Sequence, residues 1–468
     1  MFRATRPCHD PVTFLVYTRN MRSADHNEFG RPPQGAPSGL TAWLEHTSRP
    51  LFVLYAGLAG FCAYFSMYAF RKPFTAATYD DVEGWGFALD YKIALIVAQV
   101  LGYALSKFIG IKVIAEMPAA RRGLAILALI GMSWSALVVF PLLPVRYGVI
   151  ALFCNGLPLG LIWGLVFGYL EGRRTSELLG ALLCASFILS TGVVKSVGAW
   201  LMIQHGVSEF WMPAATGALF MPLLAVSVFA LSQLPAPSVL DELERTRRAP
   251  MNGRQRLLFL RQYAVGLLAL ILAYVLFTAF RDFRDSFAAE IWGALGYTDA
   301  AWLFTASELP VAALALGGLG AVMLVRDNQR ALLLMHVLIG VGALLIGVAT
   351  LAFEAGWLPA LPWMILSGAG LYLAYAPFNA MLFDRLIAVT RQVGTAGFLI
   401  YVADASGYLA SVGLLFYRNF GASTVDWLDF YTRCAYVTSA GGLIFVGSSA
   451  LYFRHRAQHL RPLAAAAI

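Results

Sequence analysis

The sequence predicts an all-α polytopic membrane protein with twelve transmembrane helices in two six-helix halves. Three observations favour this class. The 468 residues are 59% hydrophobic and 13% charged, whereas soluble domains carry about 25% charged residues. Apolar runs near the ~20 residues that cross a bilayer recur along almost the whole chain. One polar, arginine-rich stretch, 235–262, separates these runs into two groups of six.

Changes in composition set the domain boundaries. We expect a mobile cytoplasmic tail over 1–50 (with Met21 as an alternative start to Met1), a first half over 51–234, a basic cytoplasmic linker over 235–262, a second half over 263–455 and a cytoplasmic tail over 456–468. The predicted helices are 51–76, 87–109, 123–143, 147–170, 178–203, 210–234, 263–296, 301–325, 331–353, 359–383, 394–417 and 430–453. Helix 7 is too long for one straight span, so its last turns should bend or project.

Loop charges predict the orientation of the chain. The loops on the side shared with both termini hold most of the loop arginines, six of them in the linker, and the opposite loops offer Arg146 and Arg418. The positive-inside rule then places both termini and the linker in the cytoplasm of a plasma (inner) membrane protein. The formal charge of +8 is therefore a topology signal, and we expect no nucleic-acid partner. The five cysteines lack metal-site or disulfide-framework spacing and are interpreted as packing residues.

The stretch GFCAYFSMYAFRKPF in helix 1 contains the strongest site candidates. Arg71 and Lys72 stand where hydrocarbon is expected, and a cation at the bilayer centre costs roughly 2.5–3.5 kcal/mol on insertion scales. At about 100° per residue, Tyr64, Tyr68 and Arg71 share one helical face, with Lys72 about a quarter turn away. This pattern indicates an anion site inside the membrane. The alternative is that the two cations end the helix and snorkel to the interface.

Helix 7 supplies the candidate cations of the second half. A dianionic phosphate in a low-dielectric cavity needs about two cations, and guanidinium offers the planar fork that suits phosphate oxygens. Arg281 could serve with Arg71, or it could form a structural i,i+4 pair with Asp285. Arg284, one turn on, is a further candidate for substrate binding; Arg284 and Asp282 lie on other faces of the helix, and the alternative for both is an interfacial position.

Four more polar residues stand inside predicted helices. Lys107 of helix 2 is either a snorkelling cation at the cytoplasmic end or a cavity cation, and Lys195 lies deep in helix 5. Asp404 in helix 11 either pairs with a cation across a helix interface or carries a proton. Asn379 follows Pro377 in helix 10 and is expected to satisfy a neighbouring group.

Two six-helix halves with a cytoplasmic linker resemble the major facilitator superfamily. Within it, helix 1 is similar to that of the organophosphate:phosphate antiporters, which transport glycerol 3-phosphate and hexose phosphates. Their Tyr-x-x-x-Tyr-x-x-Arg-Lys-x-Phe pattern is reproduced from Tyr64 to Phe74, their Ser-Lys-Phe by 106–108, and their helix 7 arginine by Arg281. The resemblance implies an anion site between the halves, with one arginine from each half, and alternating access around it.

The chain also departs from that pattern. Where the family has a histidine in helix 5, this chain has the segment 184–187, Cys-Ala-Ser-Phe. The superfamily's loop 2–3 motif survives only as Gly110, Glu116, Arg121 and Arg122, and Asp282 and Asp285 are acids that the family does not require. The sequence therefore indicates a divergent relative whose substrate cannot be copied across.

The sequence favours a secondary transporter of a small anionic, phosphorylated organic solute, in exchange for phosphate. Two alternatives stay open: a proton-coupled transporter of another organic solute, and a non-transporting sugar-phosphate sensor of the same fold. We expect no enzyme, no cofactor and no metal, because the chain has no nucleotide-binding loop and no His/Cys cluster. The expected partners are the anionic substrate and the lipid bilayer, around a monomer.

Overall fold

The computed structural model describes residues 39–465, apart from 81, 116, 172, 174, 238–252, 299 and 391–396. Most of the predicted N-terminal tail and the centre of the predicted linker lie outside the described residues. Twelve long helices, labelled in chain order, make up the described part of the chain. They are α1 Arg49–Met67, α2 Tyr91–Ala115, α3 Ala119–Val139, α4 Gly148–Leu170, α5 Ser176–His205, α6 Met212–Ser232, α7 Ala264–Ser286, α8 Trp302–Met323, α9 Asn328–Glu354, α10 Ala360–Ala380, α11 Gly397–Phe416 and α12 Trp427–Ala465.

The helices are long and apolar enough to cross a bilayer. Among the described residues, nine helices meet this criterion alone, and a tenth span is the pair Ala360–Ala380 and Leu382–Thr390, bent by 50°. The helices α2 and α11 complete the predicted twelve. Large apolar side chains face outward, including Leu124 at 73% and Leu409 at 75% exposed, which is the arrangement that lipid requires. The chain is an integral membrane protein.

The helix contacts repeat with a period of six. In the first half α1 packs against α5 and α6, α4 packs against α2 and α3, and α3 packs against α6. In the second half α7 packs against α11 and α12, α10 against α8 and α9, and α9 against α12. This repetition makes the two six-helix halves pseudo-symmetric. Helix contacts between the halves include those of α5 with α8 and α10 and that of α2 with α11.

Glycines let the helix backbones approach one another at these contacts. A Cβ on Gly102 would lie 2.3 Å from the backbone oxygen of Phe153, which holds α2 against α4. A Cβ on Gly192 would lie 2.4 Å from the oxygen of Phe304, at the contact of α5 with α8. Small residues at crossings are how membrane helices gain close packing without a hydrophobic driving force.

The end of helix 1 differs from the prediction of a continuous helix to residue 76. The α-helix ends at Met67 and is followed by two 3₁₀ turns, Tyr68–Phe70 and Pro73–Ala76. Proline lacks an N–H and its ring clashes with the carbonyl four residues earlier, so Pro73 cannot continue the helix. Arg71 and Lys72 therefore lie in a turn between the halves. The prediction that Tyr64, Tyr68 and Arg71 share one face of a continuous helix is wrong, because the helix ends before Arg71.

Helices 7 and 10 are interrupted. The predicted bend of helix 7 is present: α7 ends at Ser286, and a short helix, Ala288–Ala294, follows Phe287. Helix 10 was not expected to bend, but Met381 interrupts it before Leu382–Thr390. Pro377 removes one backbone donor just before that break.

The described ends of the chain are more regular than the sequence predicts. The described residues fall into two units that divide between Thr47 and Ser48. In the first unit, Gly39–His46 is helical within the predicted tail. In the second, α1 starts at Arg49 with Pro50 in its first turn, where the missing N–H has no helical partner to lose. Helix α12 continues to Ala465, beyond the predicted boundary at 455.

Candidate functional site

The irregular turn after α1 is held by amides from two neighbouring helices. Gln99 of α2 donates to the backbone oxygen of Arg71 at 2.9 Å, and Asn155 of α4 donates to that of Phe70 at 2.9 Å. These bonds satisfy carbonyls that a broken helix leaves without partners, which non-helical backbone at membrane depth requires. Sequence reasoning missed both amides. Their signal was a polar side chain inside an otherwise apolar run.

The guanidinium of Arg71 lies among tyrosines. Its central carbon lies 3.9 Å from the ring centroid of Tyr103 and 5.7 Å from that of Tyr68. Tyr64 contacts Tyr68 edge-on, with centroids 5.6 Å apart. Arg71 is only 7% exposed, and within the described part of the chain its guanidinium has no carboxylate within ion-pair distance and no hydrogen bond. It is therefore a buried cation whose donors are unused within the described part of the chain.

Lys72 and Lys195 meet the same carboxylate of the other half. Lys72 forms an ion pair with Asp285, and Lys195 donates to the carboxylate and to the backbone oxygen of Asp285, both at 2.8 Å. The pair of Arg281 with Asp285 on one helix, which was one of the two alternatives for Arg281, does not form. Lys72 and Lys195 instead bind Asp285 from the opposite half, so this centre joins the halves.

Arg281 pairs with the residue next to it. Its guanidinium donates to Asp282 at 2.6 and 3.1 Å and stacks 4.2 Å from the ring centroid of Tyr375. Ser411 of α11 donates to the other oxygen of Asp282 at 2.7 Å. The charge of Arg281 is thus balanced by Asp282, whereas that of Arg71 has no such partner among the described residues.

The side chain of Arg284 is paired within the second half. It is 3% exposed, donates to Glu308 of α8 at 2.5 Å and donates to the backbone oxygen of Met364 of α10 at 3.1 Å. This geometry replaces the predicted role of Arg284 in substrate binding with a link between three helices. Glu308, which sequence reasoning missed, is a buried acid in an apolar run.

Lys107 and Asp404 join α2 to α11. Lys107 is paired with one oxygen of Asp404, and Tyr274 donates to the other at 2.5 Å. The hydroxyl of Tyr274 also accepts a hydrogen bond from Asn379 at 3.3 Å and lies 3.2 Å from the hydroxyl of Tyr375, which can donate to it. Of the two roles that the sequence left open for Asp404, this is the geometry of a pair across a helix interface. Asn379 satisfies a neighbour, as expected.

A further pair between the halves was missed. Lys92, at the start of α2, donates to Glu290 at 2.5 Å and to the backbone oxygen of Thr75 at 3.1 Å. Glu290 lies in the short helix Ala288–Ala294 after α7. This pair lies where α2 begins, and the pair of Lys107 with Asp404 lies toward its other end, so ion pairs join the halves at both ends of α2.

A cavity beside Arg71 lies between the halves. Its volume is about 20 Å³, room for about one water molecule. Charged and polar groups form part of its wall and apolar side chains form the rest. The lining residues are Arg71, Lys72, Phe74, Thr75, Ile96, Gln99, Val100, Ala279, Asp282, Phe283, Ser286, Ser411, Val412 and Leu415.

The buried charges described above do not balance among the described residues. Arg71 and the six cations in the pairs described above face five carboxylates, because Asp285 has two lysine partners. The surplus is two positive charges, carried by Arg71 and by one of the lysines at Asp285. A buried surplus of this kind is costly unless an anion joins it.

Comparison with known proteins agrees with the fold. The chain is similar to the crystal structure of a D-xylose–proton symporter, with a TM-score of 0.59, 14% identity, and coverage of 86% of this chain and 96% of that one. It is also similar to a mutant of the peptide transporter POT in complex with sulfate, with a TM-score of 0.57, 14% identity, and coverage of 91% and 96%. Both likenesses show the major facilitator fold.

The sequence itself is far from characterised proteins. No curated protein matches the chain. Residues 73–456, most of the two halves, match the family of unknown function DUF5690. This match begins just after Lys72 and includes Lys92, Lys107, Lys195, Asp285 and Asp404. The chain therefore belongs to the family DUF5690.

Proposed function

We propose that this protein is a secondary transporter that carries a small organic anion, of the phosphorylated class, by alternating access between its two halves. The observation that carries the proposal is the guanidinium of Arg71. It is buried, stacked on Tyr103 and without an anionic partner in the described part of the chain. A guanidinium in this position offers a bidentate fork to phosphate or carboxylate oxygens.

The position of the ion pairs supports alternating access. Lys92 with Glu290 and Lys107 with Asp404 join the halves toward opposite ends of α2. Opening either end of the interface separates one pair while the other can stay closed. The cavity holds about one water molecule, so an organic anion needs such an opening to enter.

The charge surplus supports an anion with two negative charges. A phosphate monoester would neutralise Arg71 together with the lysine that Asp285 leaves uncompensated. The same charge surplus favours exchange for inorganic phosphate. If the site returned empty, its two surplus positive charges would stay without an anion in a medium of low dielectric constant. The organophosphate:phosphate antiporters, which helix 1 resembles, are the reason to test phosphate esters first.

The test is binding and exchange of phosphate by purified protein. Binding is measured by thermal shift, and exchange by uptake of labelled phosphate into proteoliposomes that contain phosphate. Arg71→Lys keeps the charge but loses the fork, and losing such a desolvated contact costs about 2–5 kcal/mol, roughly 30- to several-thousand-fold in affinity. Arg146→Lys is the matched control, since Arg146 also stacks on a tyrosine, Tyr147 at 5.0 Å, but is exposed. Unchanged phosphate binding by Arg71→Lys would remove the anion site.

The orientation is part of the proposal. The positive-inside rule places the linker and both termini in the cytoplasm, so the loop between α1 and α2 faces outward. A cysteine at position 80, in a background without the native cysteines, should react with an impermeant reagent in intact cells. Reaction only after the cytoplasmic face is opened would reverse the assignment.

A further inference from the structure

We propose that the cavity beside Arg71 selects an organic anion with an apolar body, such as an alkyl or aryl phosphate, over a polyhydroxylated sugar phosphate. This inference rests on the proposed function, because it specifies the ligand of the same site. It is carried by the chemistry of the cavity wall and by the hydrogen bonds that the wall already makes.

The cavity wall is divided into a charged part and an apolar part. Arg71 and Lys72 are the cations at the wall, and they suit an anionic head group. Much of the remaining wall offers no hydrogen bond to a ligand. It consists of Phe74, Ile96, Val100, Phe283, Val412 and Leu415.

Three of the four neutral polar side chains in the wall are directed to the protein, and the fourth is Ser286. The amide of Gln99 donates to the oxygen of Arg71 at 2.9 Å and to Asn155 at 2.7 Å. The hydroxyl of Thr75 donates to the oxygen of Lys72 at 2.8 Å, and that of Ser411 to Asp282 at 2.7 Å. The donor hydrogens of these three groups are therefore not available to the hydroxyl groups of a sugar, and the hydroxyl of Ser286 is the neutral donor that remains in the described wall.

The carboxylate of Asp282 does not change this conclusion. Arg281 donates to one of its oxygens at 2.6 Å, and Ser411 donates to the other at 2.7 Å. A ligand hydroxyl would have to compete with a guanidinium for the first oxygen. A sugar body with several hydroxyls would thus lose more hydrogen bonds to water than Asp282 and Ser286 can replace, whereas an alkyl body would gain by leaving water.

The first experiment is a homologous series of ligands on the full-length purified protein. Dissociation constants are measured for inorganic phosphate and for methyl, ethyl and propyl phosphate. Each methylene that enters the apolar part of the cavity should tighten binding about fourfold, from about 0.8 kcal/mol per buried methylene. Glycerol 3-phosphate has the three carbons of propyl phosphate with two added hydroxyls. It should bind about 10- to 100-fold more weakly than propyl phosphate.

The second experiment changes the apolar wall. Val412→Thr adds a hydroxyl with little change of shape, and it should weaken propyl phosphate about fivefold more than it weakens inorganic phosphate. Val402→Thr is the matched control on the same helix, because Val402 is 37% exposed on the outer surface and should change neither constant.

The outcomes separate this inference from the proposed function. A flat series, or glycerol 3-phosphate binding as tightly as propyl phosphate, overturns the apolar-body inference if phosphate binding still depends on Arg71. Absence of any Arg71-dependent anion binding overturns both. Both proposals are supported if affinity increases from methyl to propyl phosphate in the wild type and this increase is reduced in Val412→Thr.

Discussion

Replacing Asp285 by asparagine should destabilise the protein, because this carboxylate is the partner of two buried lysines. Lys195 is 2% exposed and lies 2.8 Å from it, and Lys72 approaches from the turn after α1. At an effective dielectric constant of ~20, the attraction at 2.8 Å is about 6 kcal/mol before desolvation is subtracted. Breaking a buried pair by removing one partner costs about 3–5 kcal/mol net, since the remaining charge stays buried.

The assay is thermal unfolding of purified variants in one detergent. For roughly 400 folded residues, 3–5 kcal/mol corresponds to a fall in Tm of about 3–6 °C. The exposed acid Asp429 provides the control Asp429→Asn, with the same chemical change. Lys195→Met should cost less, because Lys72 still neutralises Asp285. The double variant of Asp285→Asn with Lys195→Met should unfold above Asp285→Asn alone, because one surplus cation is gone. A Tm of Asp285→Asn equal to wild type, or a double variant below the single, would refute this reasoning.

Three further predictions concern other parts of the chain. Lys107→Met and Asp404→Asn should each lower the Tm, and the double variant should recover most of the loss, because each single change leaves one buried charge; a double variant no better than either single would contradict this. Gly102→Ala should cost about 1–3 kcal/mol in unfolding measurements, because its Cβ would meet a backbone oxygen of α4 at 2.3 Å, whereas Gly131→Ala, with nothing within 4 Å, should cost nothing. Burial raises the pKa of the half-buried carboxyl of Glu209, so the folded state holds this proton more tightly than the unfolded state. The contribution of Glu209 to the free energy of unfolding is greatest at low pH and falls as pH rises from ~4.5 through the folded pKa. The Tm of Glu209→Gln should therefore increase relative to the Tm of wild type over this pH range. A constant difference between the two Tm values across the range would contradict the prediction.

Much of the fold could be predicted from the sequence, because crossing a bilayer imposes a local rule. A span needs about 20 apolar residues with internally paired backbone groups, and each such run can be seen without knowing its neighbours. The helices α4 and α8 begin and end within two residues of their predicted ranges. The excess length of helix 7 likewise predicted the break at Phe287. Pro73 was visible in the sequence as well, but the helix was predicted to continue past it to residue 76, whereas it ends at Met67.

The composition of the site could be predicted only in part. Arg71 and Lys72 stood out because cations are rare in an apolar run, and the structure places both at the cavity between the halves. Lys92, Glu290 and Glu308 are also charged residues in or beside apolar runs, but they were not singled out. Each stands close to the end of an apolar run or is the only charge within it.

Only the tertiary structure decided which charges neutralise one another. Spacing along one helix suggested a pair of Arg281 with Asp285, yet Asp285 is bound by Lys72 and Lys195 from the other half. Coulomb attraction depends on distance in space and on burial, and both are set by where helices of different halves cross. The sequence shows which residues are charged. The way in which α1, α5 and α7 cross decides that Asp285 pairs with two cations and that Arg71 pairs with none of the described carboxylates.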